Sequence, residues 1–514
     1  MMALKKPLAE YSRTDILISA VLFCLSLGLA GLAVTSMGWK IYHDSPIMMY
    51  LAMLIDKFDR VPYREIYEMN MPGTLFIYYL IGRLTDYTDL GFRIVDLSLL
   101  VSIMVSTYYW LRTISWKSAW GTAIFFGFIY LWFGPGNSLQ RDYILVALVS
   151  WSLAVGIGFP RMNNKLRFLI MGVLSAVAFL IKPHAILSFG LILLWQIYQG
   201  KVSKKKMDML KPILWYGLGF LVPILITLLY LWRNQALASL IDIIKNYFPL
   251  YGHLNGQLTT IYGADRIEYN IINYFLFRNL WPLLIPAILG CFVCLRHGDF
   301  HKEQKSLIYL MILSTFIASI YPALSGQFFL YHYFMFLYFV TALASLCLPY
   351  AFKNSWKAIV PVVTMILAFS WVILIYSGGL DKQMYTENMA FVDSVAEFLN
   401  ENLKPGDTVQ PLDWTAGVLN GMLRARAPLA TSFTCDFQFY HDFSDPYIKS
   451  IRQRFITELE KSKPRFILWV NPNYRAFVHG ENTTMDFPEL NRFVLEKYIG
   501  VKGDAKFIIM ERKS

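Results

Sequence analysis

About eleven apolar runs divide this sequence, at residues 15–37, 90–111, 118–134, 143–159, 167–182, 184–199, 212–232, 279–295, 306–322, 332–350 and 357–378, most of them long enough to cross a bilayer as a helix. No other feature restricts the fold so strongly. In lipid the backbone must satisfy its own polar groups, so runs of this kind become transmembrane helices. The chain is 56% hydrophobic and 16% charged, with a mean hydropathy of +0.44, too apolar for the cores of a soluble protein. Its net charge of +12 reads as Lys and Arg retained on the cytoplasmic side rather than as a nucleic-acid footprint. The first run, behind Lys5, Lys6 and Arg13, reads as an anchor that is kept.

A shorter run at 73–84 decides the topology. If it stays at the outer surface as an interfacial or re-entrant helix, the basic clusters Arg112/Lys117, Arg161/Lys165/Arg167, Lys201/Lys204/Lys205/Lys206, Arg296/Lys302/Lys305 and Lys353/Lys357 all share the side of the amino terminus. The expected fold is therefore a mainly α, polytopic membrane protein with about eleven transmembrane helices and further interfacial ones. The amino terminus is cytoplasmic and the carboxyl terminus outside. The transmembrane part spans 1–378, with outer loops 38–89 and 233–278.

Beyond residue 378 the composition changes. Residues 389–403 carry apolar side chains at helical spacing, and Lys404-Pro405-Gly406-Asp407 then marks a turn into a strand. Residues 465–471 and 505–512 are further strand candidates, the first preceded by a helix holding Ile456 and Leu459. The segment 379–514 is expected to be a small soluble α/β domain on the outer side. Of the five cysteines, Cys24, Cys291, Cys294 and Cys347 lie in apolar runs and Cys435 stands alone in the tail, so no disulfide framework is implied.

Acids, bases and aromatics crowd residues 38–86, which read as short amphipathic helices in the lipid interface. Asp44, in Tyr42-His43-Asp44-Ser45-Pro46, is the candidate for chemistry, although an acid before Ser-Pro is also a natural helix cap. Asp142 follows Gln140-Arg141 at the outer start of a span, where an acid also complements the helix dipole. Lys182, in the Lys182-Pro183-His184 turn, needs a partner or an anion at that depth. Arg141 suits phosphate by its planar fork, and His332, in Tyr331-His332-Tyr333, can donate to a phosphate or a sugar. The 233–278 loop holds Tyr247, Phe248, Tyr251 and His253 and is suited to close over a substrate.

Around Asp44 the sequence resembles the GT-C superfamily of membrane glycosyltransferases that use polyprenyl-phosphate-linked donors. It is most similar to the branch of the protein O-mannosyltransferases and the aminoarabinose transferase of lipid A. The matching residues are Asp44, Pro62-Tyr63-Arg64-Glu65, Asn70-Met71-Pro72-Gly73 and Asp142. Two departures stand out: Asp59-Arg60-Val61 where a glycine often precedes Pro-Tyr, and a lone Asp44 after His43 where some members carry Asp-Glu.

The resemblance implies an enzyme that moves a sugar from a polyprenyl-phosphate donor to a hydroxyl of a lipid, glycan or protein at the outer face of a bacterial inner membrane. Asp44 would be the general base, with Asp142 as a second acid. Arg141, Lys182, His184, His332 and Arg64 would hold donor phosphate, and Tyr63, Glu65, Tyr251 and His253 would lie towards the acceptor. A single base with direct displacement inverts the anomeric centre. A divalent ion shared by Asp44 and Asp142 stays open, and no nucleotide-binding loop is present. A cell-envelope oligosaccharide polymerase or ligase is the rival reading. A transporter of lipid-linked saccharides fits less well, because the spans show few charges beyond Asp96 and no inverted repeat.

Overall fold

The computed structural model describes the chain except residues 1–12, 203–209, 255–258, 298–299, 351–355, 377–381, 414–416, 472–473, 476–478 and 514. Lys5, Lys6, Lys204, Lys205, Lys206 and Lys353, used in the sequence reading, lie outside the described residues.

The chain runs through α1 (Arg13–Thr35), α2 (Ser45–Lys57), α3 (Pro72–Thr85), α4 (Asp89–Leu111), α5 (Trp116–Trp132), α6 (Arg141–Leu153), α7 (Asn164–Ile181), α8 (Ile186–Val202) and α9 (Leu210–Arg233). After the loop helices α10 (Leu237–Asp242), α11 (Phe248–Tyr251) and α12 (Asp265–Ile272) come α13 (Leu284–His297), α14 (Lys302–Ser325), α15 (Phe334–Ala344) and α16 (Trp356–Ile375). Every apolar run falls on a helix. Among the described residues seven helices are long and apolar enough to cross a membrane, or eight if the pair 265–277 and 281–296, bent by 84°, is one span. That is fewer than the expected eleven because α5 and α8 have 17 residues, α13 has 14 and α16 contributes only the shorter apolar stretch Ile359–Ile375. The protein is an integral membrane protein.

Close helix approach explains part of the packing. α7 and α9 meet where a Cβ on Gly172 would come within 2.1 Å of the Tyr216 carbonyl oxygen, and one on Gly219 within 2.1 Å of that of Leu169. Without a hydrophobic drive between helices in lipid, such small-residue contacts let the backbones pack tightly.

The segment 38–86 divides in two. α3 keeps Phe76, Leu80 and Leu84 exposed, one turn apart on a single face, as an interfacial helix requires. α2 departs from the expectation, since Met49 to Leu54 are fully buried. α2 packs against α18 (Gly417–Arg424) of the carboxyl-terminal segment as well as α3. Tyr50 Oη donates to the Ala427 carbonyl over 2.8 Å, and Asn420 Nδ2 to that of Ile41 over 3.0 Å. The Tyr67 amide donates to the Ser432 carbonyl over 2.7 Å. The apolar side chains read as facing lipid are covered by protein instead.

The carboxyl-terminal segment contains α17 (Lys382–Asn402), β1 (Val409–Leu412), α18, α19 (Pro446–Ser462), β2 (Phe466–Val470), α20 (Pro488–Lys497), β3 (Tyr498–Gly503) and β4 (Phe507–Arg512). The sheet order is β1-β2-β4-β3, with β1 parallel to β2 and the other pairs antiparallel. The three strands expected from sequence are β1, β2 and β4. β3 went unnoticed because Gly500, Lys502 and Gly503 break its apolar alternation.

Candidate active site

Asp44 stands at the cap position of α2, with Pro46 in the first turn, yet its side chain makes no capping bond. The carboxylate turns away from the helix. Oδ2 accepts from Tyr331 Oη over 2.8 Å, and Oδ1 lies 3.1 Å from His43 Nδ1. Burial raises the Asp44 carboxyl, but His43, Arg141 and the Tyr331 hydrogen bond outweigh it and hold it well below the usual carboxylate range. The Asp44 charge in turn raises the His43 imidazole. A side-chain exposure of 26% leaves Asp44 within reach of a substrate.

Asp142 lies in the first turn of α6, whose cap residue Gln140 makes no capping bond. Its Oδ2 accepts from Lys182 Nζ over 2.5 Å and is 3.7 Å from His332 Nε2. Both partners are buried, with side-chain exposures of 11% for Lys182 and 3% for Asp142. Lys182 follows the last residue of α7, in the turn before α8. That turn is fitted against α3, where a Cβ on Gly73 would lie 2.6 Å from the Leu180 carbonyl carbon. Burial pushes the Lys182 ammonium down to about 8, against the pull of Asp142. Tyr331 spans the gap between the acids: its hydroxyl meets Asp44, and Lys182 Nζ sits 5.9 Å from its ring centroid.

Arg141 joins the two halves. Its guanidinium donates to Asn70 Oδ1, and its charge lowers Asp44, Glu68 and Tyr251. Glu68 is buried, and its Oε1 accepts from the Asn70 amide over 2.7 Å and from Asn70 Nδ2 over 2.6 Å. Burial pushes the Glu68 carboxyl up against these bonds. The long 233–278 loop delivers Tyr251, whose hydroxyl burial pushes up to about 12. Behind it, burial and the charges of Glu68, Asp413 and Asp44 push the Cys435 thiol up. Three carboxylates and two fixed cations thus meet where α2, α6, α7, the Leu330–Tyr333 turn and α11 converge. A phosphate fits such a place through the cations, and a hydroxyl through Asp44.

The structure brings Asp44, Asp142, Arg141, Lys182, His332 and Tyr251 together. His184 stands beside them, edge-on to Tyr321 at 4.8 Å, and bonds to neither acid among the described residues. Three other candidates hold the local chain. Arg64 donates to the Asn234 carbonyl over 2.9 Å and to Glu65 Oε1 over 2.9 Å, while Glu65 Oε2 accepts from the Val61 amide over 2.8 Å. These two side chains satisfy each other, so Arg64 has no fork to offer a phosphate in the cluster. Tyr63, buried at φ 67°, donates to the Asn70 carbonyl over 2.6 Å and so steadies Arg141's partner. His253 packs against Tyr262 with ring centres 4.5 Å apart and planes tilted by 52°, and feels Asp442 and His441 rather than Asp44.

Sequence reasoning missed Glu68, Asn70 and Tyr331 as site residues. Glu68 and Asn70 flank Met69 inside the motif already singled out, and Tyr331 adjoins His332. Nothing in the sequence points to Cys435. Among the described residues no group of three or more His, Cys, Asp or Glu side chains is placed to hold a metal ion.

No protein-family model matches this sequence, and no curated protein matches it. Its fold is similar to two solved structures of ArnT from Cupriavidus metallidurans. The one bound to undecaprenyl phosphate is 13% identical, with a TM-score of 0.58 over 97% of this chain and 98% of that one. The apo form is 12% identical, with a TM-score of 0.57 over 96% and 98%. Along almost its whole length the chain therefore has the fold of ArnT, the GT-C-like polytopic membrane fold that its sequence resembles.

Proposed function

We propose that this protein is a membrane glycosyltransferase that moves a sugar from a polyprenyl-phosphate donor to a hydroxyl acceptor at the outer face of the membrane. The observation that carries this reading is the Asp44–Arg141–Tyr331–Lys182–Asp142 cluster, with an acid and a phosphate-binding pair side by side. ArnT, whose fold it shares, has been solved with undecaprenyl phosphate, a lipid with the headgroup such a pair would hold. Residues 1–378 form the transmembrane part in this reading, and residues 379–514 the outer α/β domain that covers α2.

In the reaction the acceptor oxygen attacks the anomeric carbon while the bond to the phosphate oxygen breaks, with inversion. Asp44 accepts the hydroxyl proton. Arg141 and Lys182 take up the charge that grows on the departing phosphate. On its own Asp44 is a weak base, because His43, Arg141 and Tyr331 stabilise its ionised form. A donor phosphate on Arg141 offsets that cation, so Asp44 becomes a better proton acceptor only when the donor is in place. Tyr251 and the outer loop screen the site from water.

A shared metal ion does not fit the donor set. The Asp142 carboxylate is engaged by Lys182, Asp44 faces Tyr331 and His43, and the Arg141 and Lys182 cations act on both acids.

The test is Asp44→Asn in purified, reconstituted protein supplied with polyprenyl-phosphate sugars. Transfer should fall by about 10²–10⁴-fold, the usual worth of a positioned base, with undecaprenyl phosphate binding retained. Wild-type turnover in the variant would remove Asp44 from the reaction.

A further inference from the structure

A second charged pair, Arg93 and Asp96, lies one to two turns inside α4 and is buried, with side-chain exposures of 1% and 0%. Taking two charges into an apolar setting is costly unless both are fully engaged. Here the two segments that carry the site acids engage both side chains, except for the Arg93 Nε, which has no hydrogen-bond partner among the described residues. Arg93 donates to Asp96, to Ser36 Oγ over 2.5 Å and to Ser138 Oγ over 3.2 Å. Its guanidinium also lies 4.4 Å from the centre of the Trp39 ring. Asp96 accepts from Tyr130 Oη and, over 3.2 Å, from the Leu139 amide. Ser36 and Trp39 lead into Asp44, and Ser138 and Leu139 lead into Asp142.

The two segments are also tied to each other and to α3. Ser45 Oγ, next to Asp44, donates to the Ser138 carbonyl over 2.9 Å, and Tyr78 Oη donates to that of Leu139 over 2.5 Å. Each segment holds a non-glycine residue in the left-handed region, His43 at φ 62° and Leu139 at φ 51°. Such a conformation persists only where its surroundings over-determine it. For Leu139, both backbone polar groups are held by side chains of this network.

We propose that Arg93 and Asp96 are positioning residues, a buried ion pair that fixes Asp44 and Asp142 relative to each other by holding residues 36–45 and 138–142 in one register. The inference rests on the reading of these two acids as the working groups. The pair touches no substrate. It acts through Ser138 and Leu139, and a misplacement of about 1 Å at such a site costs on the order of 100-fold in rate.

The decisive variant removes both charges together, Arg93→Met with Asp96→Leu, so that neither ion is left buried alone. Hydrogen exchange is followed in peptides covering 36–47 and 137–143, and turnover is measured in parallel. The expected result is faster exchange in both peptides together. The rate kcat should fall about 100-fold while KM for the donor changes less than about threefold. Adding Asp44→Asn to the double variant should cost little more, because the base is already out of place.

Unchanged exchange in both peptides with wild-type kcat, or losses that simply multiply, would overturn the assignment. If the double variant does not fold, Ser45→Ala with Tyr78→Phe, which leaves the pair whole, must give the same joint loosening, and its absence counts against the proposal. If the wild-type protein transfers no sugar, the proposed function fails, while the exchange data still decide whether the pair couples the two segments.

Discussion

Lys182 offers a perturbation whose parts can be separated. Its ammonium meets the Asp142 carboxylate at 2.5 Å, and both side chains are nearly out of reach of water. Lys182→Ala leaves that carboxylate, among the described residues, with the His332 ring at 3.7 Å and the charge of Arg141. Breaking a buried pair from one side costs ~3–5 kcal/mol of stability. Lys182→Ala with Asp142→Asn removes the stranded charge, so most of that loss should return. Phosphate affinity should not return with it. A charged hydrogen bond to phosphate contributes ~1.5–3 kcal/mol, so undecaprenyl phosphate should bind about 10- to 150-fold more weakly to both variants. Thermal unfolding and native mass spectrometry in detergent read the two quantities independently. Wild-type affinity in the stable double variant would refute Lys182 as a phosphate ligand, whatever its part in the fold.

Other outcomes follow from the same geometry. The Lys182 ammonium, pushed down to about 8 by burial, must be charged to hold phosphate, and a bound anion raises it. Below pH 8 affinity should be flat, and above it the dissociation constant should climb towards tenfold per pH unit. A flat profile from pH 6.5 to 9.5 would contradict this. Tyr331→Phe removes the bond that lowers Asp44, so the acid limb of the kcat/KM profile should move to higher pH. A limb that stays in place or moves down would separate Asp44 from Tyr331. Gly73→Ala forces a Cβ to within 2.6 Å of the Leu180 backbone. It should cost ~1–3 kcal/mol by overpacking, shift the turn bearing Lys182 and reduce turnover, and a variant as stable and active as wild type would show that the turn has room to give.

The membrane helices, the three apolar strands and the positions where chemistry gathers were legible in the chain itself, because each depends on local signals. Length and apolarity define a span, alternation defines a strand, and Pro, Gly and charge mark what lies between. The acids and bases of the outer loops were visible for the same reason, since a charged residue at the end of an apolar run must find a partner.

Which partner it finds is another matter. Tyr331 reaches Asp44 across 287 residues, and Lys182 reaches Asp142 across 40. No local pattern encodes either distance. The burial of α2 was misread because an apolar face looks alike whether lipid or protein covers it, and only the docking of α18 distinguishes the two. Arg64 and Glu65 were assigned outward roles although they neutralise each other within one turn. The sequence by itself determined a membrane fold and the charged residues at the ends of its spans. Tertiary structure alone decided which charges face one another, because that depends on how distant helices close together.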